Sequence, residues 1–131
     1  MVFRTAETEE RNWGTEVHIV NEQEKGFCGK ILKLKKGFKS SIHRHDKNES
    51  LFLMSGKVFF EIGENPENMD GNIVEPGTVV DVFNGIWHRY FGIEDSVLVE
   101  VSSPAEGREW YNGIGGGEIV DFESWKEGIL F

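Results

Sequence analysis

Short runs of β-branched and aromatic residues, broken by glycine, proline, asparagine and aspartate, make up most of this chain. They predict strands at Glu16–Val20, Phe27–Lys35, Ser41–Arg44, Ser50–Met54, Lys57–Ile62, Val79–Phe83, Trp87–Phe91 and Ser96–Ser102. Turn residues cluster between them, most densely in Gly63–Asn72 (GENPENMDGN), and the Asn84-Gly85 pair predicts a hairpin turn. Many short strands with no helical pattern between them predict an all-β sandwich or barrel. Only the end of the chain changes period. In Asp121–Phe131, Phe122, Trp125 and Ile129 fall at near-helical spacing behind an aspartate able to cap. A short C-terminal helix packed on the barrel is expected there, with a dimer contact as the alternative. No repeat or interior linker divides the chain, so a single domain over residues 1–131 is expected, with its core at about 27–103. The GIGGG run at 113–117 lacks the strand and helix that flank a phosphate-binding loop, and reads as a flexible connection.

One segment carries chemistry as well as pattern. Between Gly37 and Gly56, His43, His45 and Glu49 share the parity of Leu51 and Leu53, so an extended chain turns them all to one face. The opposite parity holds Arg44, Ser50, Phe52 and Met54, which predicts partial cover on both sides, as in a closed β-structure. A second strand supplies His88. Three imidazoles and one carboxylate suit a borderline divalent ion (Mn, Fe, Co, Ni or Zn), and no thiolate biases the set toward structural zinc. Four ligands on an ion that takes up to six leave positions open, which favours a catalytic over a structural site. His18, in EVHIV, reads as a strand residue rather than a fifth ligand.

These residues resemble the cupin family. Gly37, five residues, His43-x-His45, three residues, Glu49, six residues and Gly56 match the first cupin motif at every position. The second motif is matched at Gly77, Gly85 and His88, while Phe83 stands where the family has proline and Gly92 where it has asparagine. The resemblance covers about Lys30 to Ser103. It implies a double-stranded β-helix, or jelly-roll barrel, with a metal on His43, His45, Glu49 and His88, and it implies a homodimer.

Bulk properties narrow the setting. The chain has 131 residues and a formal net charge of −9. That charge argues against nucleic acid and anionic membranes as partners, because phosphate-backbone binding needs a basic face. No stretch approaches the roughly 20 apolar residues of a membrane span. The first residues, MVFRTAETEERNWG, do not read as a secretion signal. Cys28 is the only cysteine and cannot form an internal disulfide, which agrees with a reducing, cytoplasmic compartment. It is expected to be a small apolar strand residue. An anionic substrate would need local cations, and Lys30, Lys33, Arg44, Lys57 and Arg89 are the candidates.

Two further residues are candidates for proton transfer. Glu100 interrupts the apolar strand SVLVEVSS and is either an interior group with a raised pKa or a surface residue, since parity alone does not say which face is inside. Tyr90 shares the parity of His88 and, with Ile86, Leu51 and Leu53, would line the same cavity. The stretch LVEVSSP leading toward EIVDF resembles the tail of small mannose-6-phosphate-isomerase-like cupins. That resemblance implies isomerisation of a sugar or sugar phosphate, with Glu100 or Tyr90 moving the proton. An Fe-dependent dioxygenase and a non-catalytic metabolite-binding module are the alternatives.

Overall fold

Alternating side chains force an antiparallel chain of this kind to bury one face of each strand, and two sheets result. The computed structural model describes residues 3–22, 26–104 and 109–130. Its strands are β1 (Glu7–Arg11), β2 (Gly14–Glu22), β3 (Phe27–Leu34), β4 (Phe38–Lys39), β5 (His43–His45), β6 (Glu49–Ser55), β7 (Val58–Gly63), β8 (Asp70–Val74), β9 (Val79–Val82), β10 (Trp87–Gly92), β11 (Ser96–Ser102), β12 (Glu109–Tyr111) and β13 (Gly117–Glu118). One helix, α1 (Phe122–Leu130), follows them. One sheet has the order β1-β2-β3-β11-β6-β9. In the other, β10 is central, with β7 and then β8 on one side and β4 and β5 on the other, extended by β13 and β12. Every pairing is antiparallel. The expected all-β jelly-roll with a short C-terminal helix is what the chain forms.

Leu32, Leu34, Leu51, Leu53 and Leu98 from the first sheet meet Val58, Phe60, Val74 and Tyr90 from the second in one buried cluster. The outer faces differ. Phe52 and Met54 are 40% and 60% exposed while Leu51 and Leu53 are essentially inaccessible, so the expected two-sided cover of this strand is wrong. An antiparallel sheet with one solvated face accounts for the difference, although here the solvated face is unusually apolar. On the second sheet α1 provides cover, with Trp125 stacked 4.9 Å from Phe91 and edge-on to Phe59 at 5.9 Å. Cys28 is a buried strand residue.

Turns account for the motif glycines and for two misread connections. Asn84-Gly85 does lie in a turn, closed by Ile86 N–H donating to the Phe83 carbonyl at 3.1 Å. It is not a hairpin, because β9 pairs in one sheet and β10 in the other. Within Gly63–Asn72 the last residues enter β8, which pairs with β7. Gly92, in place of the family's asparagine, lets β10 approach Lys35 so closely that a Cβ would sit 2.5 Å from its carbonyl oxygen. Gly56 has φ +94°, and a Cβ there would lie 2.2 Å from Ser96 Oγ and 2.4 Å from the Asp95 carbonyl oxygen. Gly77 also has φ +94° but faces open space. Denaturant titration should therefore separate strain from collision. Gly77→Ala should cost about 1–2 kcal/mol from φ alone, and Gly56→Ala should cost roughly 2 kcal/mol more, because backbone must also move. Equal losses would contradict this account.

Candidate metal centre and active-site cavity

The register of β5 on β10 builds the centre. His43 is the cross-strand partner of His88, and alternation brings His45 to the same face. The rings lie 4.3 Å (His43 to His88), 4.8 Å (His43 to His45) and 5.6 Å (His45 to His88) apart by centroid. Phe60 stacks parallel to His88 from the core side. Glu49 arrives from the other sheet. A bend at residues 46–48 carries the chain across between His45 and Glu49, so the ligand types come from three strands and not from one continuous strand plus His88.

One nitrogen from each of His43, His45 and His88 lies within 4.8 Å of the others, a group able to hold a metal ion. Glu49 is not part of that tight group and approaches from the His88 side, with Oε1 3.2 Å from Nε2. Three observations fit the set to a divalent cation. His43 Nδ1 meets the Ser41 carbonyl at 2.9 Å and His88 Nδ1 meets the Ile86 carbonyl at 3.0 Å. A carbonyl can only accept, so those nitrogens carry the protons and the Nε2 lone pairs are left for a ligand-binding role. Glu49 Oε1 and His88 Nε2 then face each other as two acceptors, an arrangement that calls for a proton or a metal ion between them. Finally, Glu49 Oε2 is buried without a hydrogen bond, lying 3.4 Å from Lys47 Nζ but poorly aligned with it.

Electrostatics oppose a charge on His43 and His45. Burial, reinforced by His88, lowers the His43 pKa to about 4. Burial and His43 together lower His45 to about 3. Burial opposes ionisation of Glu49, yet His88, Lys47 and His45 outweigh it and hold the carboxyl at about 2. Neutral imidazole and ionised carboxylate are the forms that bind metal.

A cavity of about 590 Å³ opens beside the centre, lined by His43, His45, Tyr90 and Glu100 among others. Glu100 is interior, 6% exposed, and ion-paired with Lys47 at 3.0 Å. Ser102 Oγ donates to the same Glu100 oxygen at 3.2 Å. Tyr90 sits edge-on to Trp13, and burial raises its hydroxyl pKa well above 10, so it stays a hydrogen-bond donor. Ile86 packs on the core margin.

Several cavity residues were not legible in the sequence. Lys47 shares the parity of the ligand set, a usable signal, but it lies in the bend where strand parity has no force. Arg11, Trp13 and Glu16 come from the first hairpin, whose first strand is polar throughout and gives no core pattern. Arg11 donates to Glu16 at 2.6 Å, and Lys30 lies 3.5 Å from the same carboxylate. Of the five expected cations only Lys30 lines the cavity. Lys33 is exposed, Lys57 and Arg89 pair with Glu75 and Glu61, and Arg44 lies over the Trp110 ring at 4.3 Å. His18 is separate from the three-histidine group, close to Glu9 and Glu16. Gly115 and Gly116, from the connection before β13, also line the cavity.

No protein-family model and no curated protein sequence matches the chain. Solved structures do. A variant of oxalate decarboxylase from Bacillus subtilis superposes with TM-score 0.71 at 15% identity, over 82% of this chain and 30% of that one. Oxalate decarboxylase from Lactobacillus farciminis in complex with formate gives 0.69 at 14%, over 82% and 34%. Vicilin from tomato gives 0.64 at 12%, over 75% and 31%. The chain thus spans about a third of the length of these proteins. Another matched structure of the Bacillus enzyme is described by its Mn(II) centres. All share one architecture, and this chain has the cupin fold.

Proposed function

We propose that this chain is a metal-dependent enzyme acting on a small oxygenated metabolite, and that its reaction is the isomerisation of a sugar or sugar phosphate. The observation that carries the reading is the meeting of two imidazoles of the three-histidine group, His43 and His45, with an ion-paired carboxylate and a buried phenol around one cavity. Its volume suits a small ligand. His43, His45 and His88 would hold the ion, with Glu49 alongside. A bound divalent ion supplies a Lewis acid that polarises a carbonyl or hydroxyl oxygen. The chain's own groups do the rest. Glu100, as the carboxylate paired with Lys47, takes the proton from the carbon beside the carbonyl and returns it to the neighbouring carbon. Tyr90 donates a hydrogen bond to a substrate oxygen. A second reading keeps the same ligand set for iron, as an Fe-dependent dioxygenase. A non-catalytic module would bind the same metabolites without turnover. A cytoplasmic setting belongs to the same proposal, and no described helix is long and apolar enough to cross a membrane.

Self-association as a homodimer is also proposed. Val17, Ile31, Val99, Phe52 and Val79 are successive cross-strand neighbours in a row across the outer face of the first sheet. Exposed Met54 and Val101 flank it. Apolar surface of that extent marks an interaction site. Sedimentation should show a dimer that Phe52→Lys converts to monomer, and a monomeric parent protein would refute this part.

Metal content tests the centre. His43→Ala and His88→Ala should each remove most of the divalent ion from purified protein, and full occupancy in a His43→Ala/His45→Ala variant would sink the assignment. Protons compete with the ion for imidazoles of lowered pKa, so dialysis should release it only as pH falls toward about 4. Release centred near 6.5 would contradict the electrostatics. Chemistry is tested on a panel of free and phosphorylated sugars under anaerobic conditions. Turnover reduced about 100-fold or more by Glu100→Gln is expected of a lost general base. Oxygen uptake by Fe-loaded protein, without anaerobic isomerisation, would favour the dioxygenase instead.

A further inference from the structure

We propose that Lys47 holds Glu100 out of the metal's coordination shell and so keeps positions on the ion open for substrate. The inference rests on the metal reading above and concerns a residue which that reading leaves without a task toward the ion. Lys47 sits on the bend between β5 and β6, two residues from His45 and two from Glu49, and is 8% exposed. A buried ammonium beside a divalent cation works against the ion by Coulomb repulsion, so its place there needs a reason. Two carboxylates supply one. Lys47 Nζ lies 3.0 Å from Glu100 Oε2 and 3.4 Å from Glu49 Oε2, so a single ammonium stands between them.

The two carboxylates have different second partners. Glu49 turns its other oxygen to His88 Nε2 at 3.2 Å, toward the imidazole group. Glu100 has its Oε2 held twice, by Lys47 and by the Ser102 hydroxyl at 3.2 Å. Glu100 lines the same cavity as His43 and His45, and it lies on β11 beside β6, the strand that begins with Glu49. Ions of this class take carboxylate oxygen readily. An unrestrained Glu100 in that cavity would fill an open position and lose its use as a base. Lys47 and Ser102 together prevent this by both holding Oε2 of Glu100, on the side where Lys47 also reaches Glu49. Lys47 is thus a positioning residue, acting through Glu100.

Co(II) titration of metal-free protein, followed by visible absorption and by binding isotherm, tests the proposal, because the absorption reports coordination number independently of affinity. Lys47→Met should bind Co(II) at least tenfold more tightly and change its spectrum, as Glu100 enters the shell. Adding Glu100→Gln to that variant should restore the parent spectrum. Glu100→Gln alone, which keeps the shape and still accepts from Lys47, should leave the parent spectrum unchanged. Tighter binding without a spectral change would report charge alone and overturn the proposal, as would a spectral change that survives in the double variant. Should circular dichroism show Lys47→Met unfolded, the single Glu100→Gln variant still decides, since an altered spectrum there would mean that Glu100 is already a ligand. Parent protein that takes up no Co(II) would overturn the metal reading itself, an outcome distinct from all of these.

Discussion

The antiparallel pairing of β5 with β10 is the constraint on which the site depends. His43 and His88 face each other across that pair, and β5 is only three residues long. A slip of β5 by one residue would turn His43 and His45 to the opposite face and leave no three-histidine group. The register is pinned from several sides. Gly85 N–H donates to the His45 carbonyl at 3.1 Å, β7 holds the other edge of β10 over six residue pairs, and the Ser41 and Ile86 carbonyls fix the ring tautomers of His43 and His88. The turn that carries Gly85 closes without proline, which explains how Phe83 can stand in the family's proline position, largely exposed.

Around this centre the cavity keeps its charges in pairs. Lys47 answers Glu100 and Glu49, while Arg11 and Lys30 answer Glu16. Burying ions costs several kcal/mol each unless their partners are close. Burial alone would lower the Lys47 pKa, but Glu100 and Glu49 outweigh it and raise it. Glu16 shows the mirror image, with burial opposed and overcome by Lys30 and Arg11. A hydrophobic filling of the same volume would be no less stable. The persistence of so many ionised groups at the mouth of a metal-binding set is therefore an argument for chemistry, because apolar packing would serve the fold alone equally well.

Legibility followed the reach of strand periodicity. Period-two alternation recovered the central strands of both sheets and put Glu100 and Tyr90 on candidate inner faces, and the spacing from Gly37 to Gly56 identified His43, His45 and Glu49 together. It failed where the chain is not extended. Parity carried the reading from His45 to Glu49 as though across one strand, whereas the bend there changes sheets and turns Lys47 inward. It also failed where strands lack an apolar face, as in β1, and where pairing partners are remote in sequence, as with β12 on β5. Phe52 and Met54 misled for a different reason. Their hydrophobicity implied cover by the rest of this chain, and the structure leaves that face exposed.

On the proposed reading His43, His45 and His88, with Glu49 beside them, would hold one divalent ion at the wall of this cavity. Anomalous diffraction from crystals of protein purified without added metal, collected on either side of the ion's absorption edge, tests it most directly. One strong peak is expected, bonded to the three Nε2 atoms and to a Glu49 oxygen at about 2.0–2.2 Å, with the Glu100 carboxylate still on Lys47. The absence of a peak there, or a peak that includes Glu100 among its ligands, would contradict it.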